Sequence, residues 1–312
     1  MTQDEAMLPV GMRLATGRAR RLRAMLADPP GGCLTVPGAF DCVSARLVDT
    51  GGFPALYVTG SGVSMSALGA PDVGMLSFAE ILDRVKRIAD CVSIPVIADA
   101  DTGYGGPLNV MRTVREMERA GVAAIQIEDQ AWPKKCGHEP GRRLVSTAEM
   151  VGRIRAACDA RLDPDTLIVA RTDARATEGL EAAIDRARAY AEAGAEVLFL
   201  ESPQSEAEMA RACAALAGTA PMLANMVEGG RTPVLPAGDL AALGYRLAIW
   251  PNALTRVMAR MGQVLLGHLK AEGTTAAMRG QMFDHGGLWA LFEHERWYAV
   301  EARYAAPPAN AG

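Results

Sequence analysis

Three observations in this 312-residue chain predict an α/β fold, specifically a closed (β/α)8 TIM-type barrel. Short β-rich apolar runs recur eight times, each followed by residues with helical spacing, and such alternation builds a parallel sheet. Each unit takes about 25 to 40 residues, which suits eight closed units better than an open sheet of about five or six strands. Polar residues gather just after the apolar runs, at the C-terminal strand ends where barrel enzymes carry their chemistry.

The strands are expected at Leu34 to Pro37, Ala55 to Thr59, Pro95 to Ala98, Ala124 to Ile127, Leu167 to Ala170, Val197 to Leu200, Met222 to Ala224 and Leu247 to Trp250. Between them, Phe78 to Cys91, Leu108 to Ala120, Leu180 to Ala193, Glu206 to Leu216 and Leu254 to Leu269 place apolar residues on one helical face. Gly121, Gly194 and Gly218 follow helical runs where a left-handed residue ends the helix. Ser146 and Glu149 read as a capping box opening a helix through Arg161. The whole chain reads as one barrel domain: residues 1–30 a leading helix, 31–270 the barrel, 271–304 a helical extension and 305–312 a disordered tail. In the leading helix, Leu22, Met25 and Leu26 form the apolar stripe and Arg18 to Arg23 the solvated face. The aromatic residues of the extension, Trp289, Phe292, Trp297, Tyr298 and Tyr304, suit either a second subunit or the chain's own barrel.

Half of the residues are hydrophobic and the formal charge is -4, with basic residues scattered rather than striped. That pattern argues against nucleic acid or an anionic membrane as partner and leaves small anionic ligands. Six cysteines at irregular spacing, with no signal-peptide core and no membrane-length apolar run, predict reduced thiols in the cytoplasm.

Two clusters carry the chemistry. Asp99 and Asp101, spaced i and i+2, would share one face of a continuing strand and offer hard oxygens to Mg²⁺, or to Mn²⁺; they also suit a turn. Asp72 and Glu128 are candidates to hold the metal's waters. The long connection from Asp129 to Ser146 holds Lys134-Lys135-Cys136-Gly137-His138, and a loop of that length is commonly a lid. The flanking lysines and His138 argue against burial of Cys136 and for a thiol that moves protons. His138 fits a donor to a developing enolate or a simple loop cap. Zinc is not expected, since no second Cys or His pair lies at ligand spacing. Gly60-Ser61-Gly62 after Thr59 can bring backbone N–H groups to a carboxylate, and Arg171 can grip one with two bonds. Glu201 and Asn225 sit at neighbouring strand ends, where they orient the arginine or the substrate.

These motifs resemble the isocitrate lyase/phosphoenolpyruvate mutase superfamily, particularly its short lyases of the 2-methylisocitrate and 2,3-dimethylmalate type. The resemblance runs from about Pro37 to Tyr304 and is carried by Tyr57 to Gly62, Pro71-Asp72, Asp99 to Gly105, Ile127 to Gln130, Lys134 to His138, Ala170 to Ala174 and Asn225 to Gly230. It implies an eighth helix swapped between subunits, a homotetramer built as a pair of dimers, and Mg²⁺ nearest Asp99 and Asp101. It further implies that Gly60 and Ser61 bind the α-carboxylate of the keto-acid portion, that Arg171, Glu201 and Asn225 position carboxylates, that Thr59, Gly137 and Arg256 also bind the substrate, and that Cys136 is the acid facing a carbanion. The implied reaction is retro-aldol cleavage of a 2-hydroxy di- or tricarboxylate to a 2-oxo acid and a simple carboxylate, with Tyr57 or Asp72 as the hydroxyl base. Val227-Glu228-Gly229-Gly230, and the absence of an arginine around His285, depart from the 2-methylisocitrate pattern and favour substituted malates at least equally. Alternatives on the same scaffold are oxaloacetate hydrolysis, against which Pro251 speaks, and phosphonomutase chemistry, against which the Cys136 motif speaks. A noncatalytic dicarboxylate sensor would have lost acid or thiol residues, and the main ones are all here.

Overall fold

The computed structural model describes residues 7–13, 16–137, 139 and 141–305, so His138 and the tail beyond Ala305 lie outside the described residues. Eight parallel strands close in chain order: β1 (Leu34–Ala39), β2 (Leu56–Val58), β3 (Val96–Asp99), β4 (Ala124–Glu128), β5 (Leu167–Thr172), β6 (Val197–Leu200), β7 (Met222–Asn225) and β8 (Tyr245–Trp250). Leu34 of β1 pairs with Leu247 of β8, which seals the barrel and leaves no sheet edge.

Helix α1 (Arg18–Ala27) precedes the barrel. Around it run α2 (Cys42–Thr50), α3 (Gly60–Leu68), α4 (Phe78–Asp90), α5 (Pro107–Arg119), α6 (Thr147–Ala160), α7 (Leu180–Glu192), α8 (Glu206–Ala215), α9 (Ala237–Leu243) and α10 (Ala253–Glu272). The expected glycine stops hold, with φ of 85° at Gly121, 111° at Gly194 and 77° at Gly218. The expected box at α6 forms by half: Ser146 Oγ accepts from the Glu149 N–H at 3.1 Å, but the Glu149 carboxylate turns to Arg153 at 2.7 Å. Complete boxes close instead at Asp41 with Ser44 and at Ser77 with Glu80.

Alternation along the strands divides the core in two. Leu34, Val36, Tyr57, Ile97, Leu167, Val169, Val197, Phe199, Leu223 and Ile249 fill the barrel, and Leu22 and Leu26 of α1 plug its N-terminal end. The intervening residues, such as Val58, Ala98, Ile125, Ile168 and Leu198, pack outward against the helices. Arg18 corrects the picture of a wholly solvated basic face: it is buried, and its guanidinium donates to the carbonyls of Ala89 and Val92. Arg20, by contrast, pairs with Asp165 in solvent.

After α10 come α11 (His285–Leu291) and α12 (His294–Tyr304). This extension docks on its own chain, where Arg46 Nε donates to the Leu291 carbonyl at 2.9 Å and Glu293 accepts from the Val10 N–H at 2.8 Å. Yet none of the 20 residues of α10 is buried, and Leu266, Phe283, Trp289, Trp297 and Tyr304 expose large apolar surface. Among the described residues no helix is long and apolar enough to cross a membrane, and no cysteine is in a disulfide.

Just past β4, Asp129 is wholly buried and accepts from Thr172 Oγ1 at 2.7 Å, the Asp173 N–H at 3.0 Å and the Tyr190 hydroxyl at 2.8 Å, with Arg186 at 3.5 Å. Burial, then the charge of Asp173, raises its pKa above the ordinary carboxylate value, so each donor matters. The network ties β4, β5 and α7 together. Tyr190→Phe keeps the ring and removes one donor to this carboxylate. It should cost about 2 kcal/mol in denaturant unfolding, and an unchanged midpoint would show that the network carries no stability.

Candidate active site

The inward phase of the strands continues past the apolar filling into polar residues: Asp99 above Ile97, Gln126 and Glu128 above Ala124, Arg171 above Val169, Glu201 above Phe199, Asn225 above Leu223. They surround the C-terminal mouth, where a cavity of about 1020 Å³ opens. Tyr57, Thr59, Ser61, Asp72, Asp99, Arg171, Glu201 and Asn225 all reach it, as do Cys136, Gly137 and Arg256 from the loops and α10. Gly60, Asp101 and Glu128 sit buried behind the wall.

The acidic pair converges, though not as an extended strand would bring it. β3 ends at Asp99, and Asp101 turns with φ of 47°, a left-handed conformation that aspartate tolerates better than most residues. Its N–H donates to Asp99 Oδ1 at 3.1 Å. A Cβ on Gly60 would lie 3.0 Å from Asp99 Oδ2 and 3.6 Å from Asp101 Oδ1, so the glycine lets both carboxylates crowd the start of α3. α3 begins right there: Thr59 caps it, accepting from the Gly62 N–H at 3.3 Å, and the first-turn amides of Gly60 and Ser61 form an anion-binding helix start.

Sequence adjacency makes Lys134 a flank of Cys136 in a polar loop; instead it is buried, 3% exposed, and reaches inward to Asp72 at 2.5 Å and Asp101 at 2.6 Å. Asp72 is thereby engaged by an ammonium group. Burial, then Asp99 and Asp72, pushes Asp101 up to about 6 even against the pull of Lys134. Burial likewise holds Glu128 well above the usual carboxylate range, with Arg171 opposing, and its Oε1 is buried without a hydrogen-bond partner. Four acids, Asp72, Asp99, Asp101 and Glu128, thus crowd Lys134 and Arg171, and the arginine serves other carboxylates too. A divalent cation would relieve that surplus. Among the described residues no group of three or more His, Cys, Asp or Glu could enclose a metal, so the two hard carboxylates fit an ion that keeps several waters, as Mg²⁺ does.

Arg171 does not offer its whole fork to a ligand. Asp173 takes Nε at 2.9 Å and Nη2 at 3.0 Å, while Glu128 lies at 3.4 Å and Glu201 at 3.3 Å. Asn225 Nδ2 donates to Glu201 at 3.0 Å, and the guanidinium stands over the Phe199 ring at 5.1 Å. The result is a fixed cation at the floor of the cavity. Tyr57 donates its hydroxyl to Gln126 Oε1 at 3.0 Å, and Gln126 Nε2 donates to Asp99 at 3.3 Å. Burial, then Asp99, raises the Tyr57 pKa well above its ordinary value, so the phenol is a proton donor rather than a ready base.

The cysteine loop lies across this mouth. Gln130 pairs with Lys135 through both amide groups at 2.9 Å, and Ser202 Oγ donates to the Gly137 carbonyl at 3.1 Å. A Cβ on Gly137 would strike Arg171 and come within 2.8 Å of Glu201, which explains a glycine beside the thiol. Cys136 is half-buried and faces the cavity. Sequence reasoning missed Gln126, Ser202 and the cavity-lining Arg231. A lone polar residue inside the apolar strand Ala124-Ile125-Gln126-Ile127 was the available signal for the first. Arg256 reaches the cavity rim paired with Glu228 at 2.5 Å.

The phosphoenolpyruvate phosphomutase family model matches residues 22–268. The chain is 47% identical over 287 residues to 2,3-dimethylmalate lyase of Eubacterium barkeri, covering 92% of this chain and 98% of that protein. It is 41% identical to 2-methylisocitrate lyase of Halalkalibacterium halodurans, covering 92% and 93%. A solved structure of oxaloacetate acetylhydrolase with 3,3-difluorooxalacetate superposes with a TM-score of 0.88 at 35% identity, covering 97% of this chain and 100% of that one. With a matching model over most of its length and full-length relatives, the chain belongs to the phosphoenolpyruvate phosphomutase family and is an enzyme like the carbon–carbon lyases within it.

Proposed function

We propose that the chain cleaves a 2-hydroxy dicarboxylate of the substituted-malate type between C2 and C3, with a divalent metal, to a 2-oxo acid such as pyruvate and a simple carboxylate. The observation that carries the reading is one cavity lined by a thiol, a fixed arginine and an aspartate of the paired acids. Cleavage develops negative charge on C3 beside a carboxylate, and each part of that charge meets a group placed for it.

The Gly60 and Ser61 amides at the start of α3 hold the C1 carboxylate. Asp99 and Asp101 would hold Mg²⁺, or Mn²⁺, which supplies Lewis-acid stabilisation to the substrate oxygens. Asp72 and Glu128 would hold the waters of such an ion. Arg171, kept in place by Asp173, Glu201 and Asn225, stabilises the C3 carboxylate as it gains electron density. Cys136 delivers a proton to C3, with His138 beside it in sequence as a second donor. Tyr57, held protonated, donates; of the two candidate bases for the C2 hydroxyl this favours Asp72. Lys134 anchors the loop to the acids and so sets where the thiol stands.

The rim bears on substrate size. The Arg256 guanidinium pairs with Glu228, so it does not stand as an uncompensated cation for a third carboxylate, which favours a substituted malate over 2-methylisocitrate. Quaternary structure follows from α10: its unburied faces and the exposed aromatics of the extension support a helix-swapped dimer, paired into a homotetramer.

Three measurements test this reading. With Mg²⁺ present and 2-oxo acid release followed, 2,3-dimethylmalate should outpace 2-methylisocitrate, citramalate, isocitrate and oxaloacetate, and Cys136→Ser should lower turnover at least about 100-fold with the fold intact. Near-normal rates in that variant would remove the thiol from the reaction. Asp99→Ala should weaken metal binding, titrated directly, by at least the about 10- to 100-fold that loss of an outer-shell partner costs, and unchanged affinity would refute its role. Sedimentation equilibrium should give four chains per particle, and a monomer would overturn the swapped assembly.

A further inference from the structure

Outside the lining of the cavity, two cysteines meet across a helix seam. Cys42 is the first residue of α2, and Cys91 follows the last residue of α4. Cys42 Sγ lies 3.5 Å from the Arg87 carbonyl, the same oxygen to which the Cys91 N–H donates at 3.2 Å. Cys91 Sγ lies 3.2 Å from the Ile88 carbonyl and 3.9 Å from the Cys42 carbonyl, within interaction reach of the Cys42 sulfur. Neither side chain is fully buried. None of this serves the cavity, and nothing in the proposed reaction uses it.

We propose that Cys42 and Cys91 form a thiol–disulfide site whose oxidant is a hydroperoxide. The Cys42 thiol gives up its proton and the thiolate attacks the outer peroxide oxygen; the O–O bond breaks, the leaving oxygen takes up that proton and departs as the alcohol (water, for hydrogen peroxide), and Cys42 becomes a sulfenic acid. The Cys91 sulfur then attacks the Cys42 sulfur, the S–S bond forms, and the hydroxyl departs as water with the Cys91 proton. Each sulfur is oxidised by one electron and the peroxide is reduced by two. The order of attack follows from placement: Cys42 sits in the first turn of α2, where backbone N–H groups favour a thiolate, and Arg84 and Arg87 add positive charge against the opposing charge of the Asp41 cap. The hydrogen bond from Cys91 draws the Cys42 pKa down to about 7 against the cost of burial. Elsewhere burial pushes the Cys33 and Cys213 thiols up, to about 11 and about 12, which makes them poor competitors.

The bridge would staple the start of α2 to the end of α4. Arg46 crosses that seam, reaching the Cys91 carbonyl at 3.3 Å and the Leu291 carbonyl of the extension at 2.9 Å. Oxidation therefore stiffens the seat of the C-terminal helices.

The test uses the full chain carrying Cys136→Ser, so that the loop thiol adds no signal, reduced and then treated with hydrogen peroxide. Intact mass should fall by the two hydrogens lost, and non-reducing peptide mapping should give one reductant-sensitive Cys42–Cys91 pair. With Cys91→Ser added, Cys42 should accumulate a dimedone-trapped sulfenic acid at least about tenfold faster than Cys158. An unreacted pair, oxygen adducts without a bridge, or a bridge to any other cysteine would overturn the proposal.

Discussion

A strand's two-residue period, once the sheet is closed, forces alternate residues of all eight strands to share one interior. Low in the barrel that interior is filled mainly by Leu, Val, Ile and Phe; two residues further along, the same phase delivers Asp99, Arg171, Glu201 and Asn225, and on β4 Gln126 and then Glu128. A slip of one residue in β5 would send Arg171 out among the helices and leave a gap in the floor, so register and site are one constraint. Burial raises Asp101 and Glu128 even against the pull of Lys134 and Arg171.

Much of this is legible in the sequence because periodicity is local. The eight apolar runs lie within a residue or two of the observed strands, the glycine stops are where left-handed φ occurs, and the polar strand ends converge. What local pattern cannot carry is which way a long side chain turns. Lys134 reads as a partner of the neighbouring thiol, yet it leaves its own loop to pair with Asp72 and Asp101, residues far away in sequence. The spacing of Asp99 and Asp101 suggests alignment along a strand; they meet because the chain turns between them and Gly60 gives way. Gly60 itself reads as loop, since glycine opposes helix inside a segment, but at the first position beside an acidic cluster its missing Cβ outweighs its low propensity.

The cysteine loop is fastened by polar links rather than by packed apolar area. Lys134 reaches the acids after β2 and β3, the paired amides of Gln130 and Lys135 brace its base, and Ser202 after β6 takes the Gly137 carbonyl. Trp132 in the same loop stays half exposed. Such a segment can open by exchanging each bond for one to water, at little hydrophobic cost, while the strands below stay put. Lys134 is the link that crosses to the acidic cluster, pairing with both Asp72 and Asp101.

Strand phase explains why the barrel can perform this chemistry, but not which substrate it takes. The backbone follows that of oxaloacetate acetylhydrolase closely, with a TM-score of 0.88, while the relatives named for lyase activity share more sequence, so the backbone cannot be the discriminator. Discrimination has to lie in residues outside the inward phase, on the connections that rim the cavity: Glu228 after β7, Pro251 after β8 and Arg256 at the start of α10. Pro251 has no hydroxyl with which to steady an attacking water. Glu228 compensates Arg256, one of the cations at the cavity rim. Both features lie on loops outside the strands, so a deep site shaped for charge can be tuned from its edge without disturbing the barrel that holds it.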